Sequence, residues 1–158
     1  MNETIENKNY FMNIAINEAK KAAKKGDVPV GACVVCNNKI IAKAHNKKEL
    51  KKNAILHAEI IAISHASKKL KSYRLNNCDL YVTFEPCLMC VGAILSARIN
   101  NVYFGAFDTR FGASEQLVNN KFNHTSNFEG GILESECSSL ISNFFKNIRE
   151  SKKDKNKN

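Results

Sequence analysis

Two short segments constrain this chain more than any others: His57-Ala58-Glu59 and Pro86-Cys87-Leu88-Met89-Cys90. Each stands where a helical apolar pattern begins. His57–Leu70 sets Ile60, Ile61, Ile63 and Ala66 on or near one face, and Cys87–Ala97 is apolar almost throughout, as a buried helix is. The remaining segments alternate around these two. Ile5–Lys25 has Phe11, Ile14, Ala15, Ala19 and Ala22 at helical spacing, and Gly26-Asp27-Val28-Pro29 stops it. Val30–Cys36 reads as a buried strand, Asn37-Asn38 as a turn and Lys39–His45 as the return strand of a hairpin. Short strands follow at Leu80–Phe84 and Val102–Phe104, with a weak last one at Asn127–Gly131. The polar connection Asp108–Asn127 has room for a short turn of helix, and Leu133–Arg149 is a final helix striped by Leu140, Ile141, Phe144, Phe145 and Ile148. Helix and strand in alternation predict an α/β three-layer sandwich, with helices on both faces of a central mixed five-stranded sheet. One domain is expected over residues 1–150, and the Lys/Asn-rich residues 151–158 form a disordered tail.

The residue types at the two helix starts define a chemistry. Cysteines three apart at the head of a helix share one turn and face the same way. The helix N-terminus favours anions and so promotes thiolates. Two thiolates and an imidazole are donors of the kind tetrahedral zinc takes, so Cys87, Cys90 and His57 supply three ligands and leave the fourth position to water, as catalytic sites do. Zinc acidifies such a water toward a pKa of ~7. Glu59 lies two residues after His57 and can enter the same cavity without binding metal, where a carboxylate moves protons. Attack at an amine-bearing ring carbon, with proton delivery to ring and leaving nitrogen, needs this combination. A redox reading of Cys87-x-x-Cys90 is weaker. The chain's two prolines are Pro29 and Pro86, so the later loop proline of a thioredoxin-like fold is absent, and His57 and Glu59 would be left without a role.

Composition narrows the setting. The 158 residues include 24 basic and 15 acidic side chains, for a net charge of +9. A basic surface favours polyanions, nucleic acid first among them. No apolar run reaches the ~18 residues of a membrane span, and Met1–Tyr10 has no apolar leader core, so a cytoplasmic location is expected, with no membrane partner. Six cysteines without an export signal point to metal, redox or burial rather than disulfides. Cys33 and Cys36 form a second Cys-x-x-Cys, but on a strand residues three apart face opposite sides, so burial is their expected role.

Longer stretches resemble the bacterial tRNA-specific adenosine deaminases, of the cytidine/deoxycytidylate deaminase superfamily. They include Val28-Pro29-Val30-Gly31-Ala32, His57-Ala58-Glu59-Ile60, Leu80 through Cys90, Ser96-Ala97-Arg98-Ile99, Phe104 through Asp108, Glu129 through Leu133, and Asn143-Phe144-Phe145. The resemblance implies a cytidine-deaminase-like fold, about one zinc per subunit, a homodimer whose sites lie near the subunit interface, and conversion of the wobble adenosine of a tRNA anticodon stem-loop to inosine. It also implies that Asn46 contacts the nucleoside, that Val30 and Phe84 line the base pocket, that Asp108 lies near the RNA backbone, and that Phe144 and Phe145 approach the anticodon loop. The zinc motifs are shared across the superfamily, so deamination of a free base or nucleoside (cytosine or guanine) stands as the alternative. A non-catalytic zinc module would lack Glu59 or carry a fourth protein ligand.

Overall fold

The computed structural model describes residues 4–116 and 122–157. Its elements are α1 (Ile5–Lys24), β1 (Gly31–Cys36), β2 (Lys39–His45), α2 (Ala58–Leu70), β3 (Cys78–Phe84), α3 (Leu88–Ser96), β4 (Asn101–Ala106), β5 (Asn127–Glu129) and α4 (Glu134–Lys155). The Thr4 hydroxyl accepts from Asn7 N at 3.1 Å to cap α1. Gly26, at φ +82°, ends it, with Gly26 N donating to Ala23 O and Asp27 N to Ala22 O, the left-handed stop that glycine serves best. Asn37 and Asn38 both take positive φ, 51° and 62°, as a two-residue hairpin turn requires.

The sheet order is β2-β1-β3-β4-β5, antiparallel from β2 to β3 and parallel from β3 to β5. Strand alternation sorts the core into two halves. Ala32, Val34, Leu80, Val82 and Phe104 pack with Ala58, Ile61 and Ala62 of α2 and Ile94 of α3. Cys33, Val35, Tyr81 and Tyr103 face Phe11, Met12, Ala15 and Ile16 of α1 and Cys137 of α4. This is the expected three-layer, mixed five-stranded architecture, and the parallel β3 and β4 are joined by crossover through α3.

Several boundaries move. β3 starts at Cys78 and β4 at Asn101, earlier than apolar runs suggest, because Asp79 and Asn101 satisfy one another across the two strands (3.0 Å). The connection after β4 contains turns but no helix among its described residues, and residues 117–121 of it lie outside them. The expected disordered tail is corrected in part. α4 runs on to Lys155, since this polar stretch is made largely of good helix formers and Lys152, Lys153 and Lys155 complement the negative helix end. No helix among the described residues is long and apolar enough to cross a membrane.

Gly31 is where β1 passes closest to α1. A Cβ there would collide with Ala15 O and Ala19 N of the helix backbone, which cannot rotate aside. Gly31→Ala is expected to lower Tm by roughly 5–10 °C, the result of an overpacking penalty of ~2–3 kcal/mol. Thermal unfolding checks this.

Candidate active site

The parallel half of the sheet places the C-terminal end of β3 beside the N-termini of α2 and α3, the location where open α/β sheets gather ligands. His57 and Cys87 are the N-cap residues of these two helices, both with extended backbone (ψ 154° and 174°), and neither side chain caps its own helix. Both are thereby free to face each other. Cys90, fully buried in the first turn of α3, completes the set. His57 Nδ1 lies 3.7 Å from Cys87 Sγ and 3.5 Å from Cys90 Sγ, and all three donor atoms lie within 4.8 Å of one another. Zinc–nitrogen and zinc–sulfur bonds of about 2.0–2.1 and 2.3 Å set such donors about 3.6 Å apart on a tetrahedron. The donor set therefore fits zinc in kind and in spacing.

The electrostatics agree. The hydrogen bond from Cys90 is the main cause of a Cys87 thiol held down at about 4; burial opposes it and His57 helps. Cys90 is pushed far up by the same bond and by burial. His57 is raised by its hydrogen bond to Cys87 against burial. The two sulfurs are thus joined by a hydrogen bond beside an imidazole, and a divalent cation bound among them would take the place of the bridging proton. Glu59, in the first turn of α2 and 4% exposed, has its carboxyl raised by burial.

His57, Glu59 and Cys87 wall a cavity of about 310 Å³, together with Val28, Val30, Asn46, Lys48, Phe84, Asp108 and Phe111. The structure thus brings together Val30, Asn46, His57, Glu59, Phe84, Cys87 and Asp108, with Cys90 buried behind. Phe145 does not line this cavity. It lines an adjoining groove that shares Val28, Phe84, Asp108 and Phe111 with it and continues to Ile141 and Ser142 of α4. Phe144 faces a different, larger recess between α1 and α4, so the two phenylalanines serve separate surfaces. His45 is not in the cavity wall: its Nδ1 meets Glu18 Oε1 at 3.3 Å. Cys33 is buried, with its thiol pushed up to about 12 by burial. Cys36 stands opposite Cys78 rather than with Cys33.

Sequence reasoning missed Glu85 and Phe111. Glu85 Oε1 accepts from Asp108 N (3.1 Å), and its Oε2 accepts from Ser114 N (3.2 Å) and Ser114 Oγ (2.7 Å). It thereby ties the loop after β4 to the metal motif. Asp108 Oδ1 in turn accepts from Arg110 N and Phe111 N, which sets Phe111, 65% exposed, at the cavity mouth. A carboxylate next to Pro86-Cys87 was the signal for Glu85; Phe111 left none.

Fold and site together define a zinc-dependent deaminase of the cytidine-deaminase class: residues 5–106 match the family model of the cytidine and deoxycytidylate deaminase zinc-binding region. The tRNA-specific adenosine deaminase of Bacillus subtilis (strain 168) is 47% identical over 152 residues, 94% of each chain. A solved structure from a study of A-to-I editing by tRNA:A34 deaminases at the wobble position of transfer RNA is 38% identical, with a TM-score of 0.79, and covers 84% of this chain and 99% of that one. A guanine deaminase structure from Bacillus subtilis is also 38% identical, but with a TM-score of 0.61 over 63% of this chain and 64% of that one. The chain belongs to the tRNA-specific adenosine deaminase family.

Proposed function

We propose that this chain hydrolyses the wobble adenosine of a tRNA anticodon to inosine, releasing ammonia, and that it does so as a cytoplasmic homodimer. The observation that carries the reading is a buried carboxylate, Glu59, in one cavity wall with His57 and Cys87, whose donor atoms lie together with that of Cys90 behind the wall.

His57, Cys87 and Cys90 hold the zinc. When bound, zinc supplies Lewis-acid activation of the attacking water at neutral pH. Glu59 takes one proton of the attacking water on a carboxylate oxygen and delivers it to purine N1. It then takes the remaining hydroxyl proton as the C6 carbonyl forms and the C6–N bond breaks, and delivers it to the departing amino nitrogen, which leaves as ammonia. Its raised affinity for protons, caused by burial, suits a group that must both accept and give one. Val30 and Phe84 hold the base, and Asn46 the nucleoside. Asp108 and Phe145 meet the neighbouring RNA along the groove that leaves the cavity toward α4. Phe111 and Phe145 are 65% and 42% exposed, which suits stacking by splayed nucleotides. Lys48 stands at the cavity for a phosphate. Leu88 and Met89, exposed on the first turn of α3, form an apolar patch beside the metal ligands suited to a second subunit.

The similarity to a guanine deaminase favours a second reading, turnover of a free base. A free base needs the cavity but not the groove, and the tRNA-specific relative matches through α4. Zinc-loaded protein incubated with an anticodon stem-loop bearing a wobble adenosine is expected to yield inosine by nucleoside mass spectrometry, with no turnover of free guanine or cytosine. Turnover of a free base alone would transfer the assignment to the second reading.

A further inference from the structure

We propose that Asp27 is a positioning residue for substrate: it sets the Asn46 amide and the lysine-bearing loop beside it. The proposal rests on the reading of Asn46 as a nucleoside contact. Asp27 is 1% exposed and does not line the cavity, so it acts through other groups. Its carboxylate accepts four hydrogen bonds. Oδ1 takes Val28 N at 3.1 Å and Asn46 Nδ2 at 3.2 Å, and Oδ2 takes Glu49 N and Leu50 N at 3.0 Å each.

Two consequences follow from this set. Asn46 Nδ2 also donates to Val28 O at 3.2 Å, and its Oδ1 accepts from Lys48 N at 3.0 Å, so the amide has one orientation. Glu49 N and Leu50 N belong to the turn closed by Lys51 N to Lys47 O and Asn53 N to Lys48 O. Asp27 satisfies their free amides as an N-cap carboxylate does, but from a residue remote in sequence. One buried side chain thereby links the end of α1 to Asn46 and to a loop carrying Lys47, Lys48, Lys51 and Lys52, of which Lys48 reaches the cavity.

The chemistry requires a carboxylate. All four groups that hydrogen-bond Asp27 are donors. Asparagine at this position, though the same shape, would turn an NH2 group toward N–H donors and leave buried donors unpaired.

The test uses the full zinc-loaded chain as wild type, Asp27→Asn, Asp27→Glu, Asn46→Ala and the Asp27→Asn/Asn46→Ala double variant, with an anticodon stem-loop as substrate. Asp27→Asn is expected to raise KM roughly tenfold or more with a smaller change in kcat, at unchanged zinc content. Asp27→Glu keeps both oxygens and is expected to recover most of that loss. With Asn46 already alanine, the effect of Asp27→Asn is expected to shrink to within about threefold, as non-additive partners do. Wild-type KM in Asp27→Asn, or its full effect persisting beside Asn46→Ala, would overturn the proposal. So would Asp27→Glu behaving as badly as Asp27→Asn. Amide hydrogen exchange at Glu49 and Leu50, read by NMR, decides independently of activity. Exchange faster by about tenfold in Asp27→Asn supports the clamp, and unchanged exchange removes it. If wild-type protein edits no adenosine, the proposed function fails while the exchange measurement still rules on Asp27.

Discussion

Glu59→Ala is expected to retain about one zinc per chain while lowering turnover of a wobble adenosine by ~10²–10⁴-fold or more. Metal retention follows from geometry: the three donor atoms that lie together belong to His57, Cys87 and Cys90, and Glu59 is not among them. The loss of turnover follows from position. Glu59 is a buried acid in the cavity wall, and the reaction must move one proton of the attacking water to N1 and the other to the leaving nitrogen. Glu59→Gln keeps the shape but cannot carry a proton, so it is expected to be nearly as inactive. Metal analysis beside single-turnover kinetics checks both variants. Undiminished turnover would remove Glu59 from the mechanism.

Cys87→Ala is expected to lower zinc to below about a tenth of an ion per chain and to abolish deamination while the fold persists. Removing one of three protein ligands leaves an imidazole and one thiol. With the bond to Cys87 gone, burial and the nearby Glu59 still push the Cys90 thiol up, so it has no strong tendency to ionise by itself. The fold persists because the two core halves on either face of the sheet are built from residues outside the donor set. Metal content, activity and far-UV circular dichroism separate these outcomes. A Cys87→Ala protein that keeps stoichiometric zinc would overturn the donor assignment.

The donor residues were legible in the sequence because each motif is local. His57 and Glu59 are two residues apart, Cys87 and Cys90 three apart, and each pair begins a helix whose apolar period is plain. Helical spacing converts such short offsets into a shared face. Strands were legible at β1 and the middle of β3, where apolar runs are unbroken, and at β2, where apolar residues are interspersed with lysines. They were not legible at the starts of β3 and β4, where Asp79 and Asn101 look like loop residues until they meet each other. Residues 151–155 looked disordered by composition, but α4 carries them to Lys155.

What the sequence by itself determined was the donor set, the acid that stands beside it and the alternation that makes a layered α/β sheet, since all three depend on offsets of a few residues. Tertiary structure alone decided that Asp27 holds Asn46 and the 47–52 loop, that Glu85 anchors the Asp108–Ser114 turn, and that Phe145 faces the groove while Phe144 faces α1. These pairings join residues far apart in the chain. Their partners are chosen by sheet register and by how the helices settle on the two faces, and no local periodicity encodes that choice.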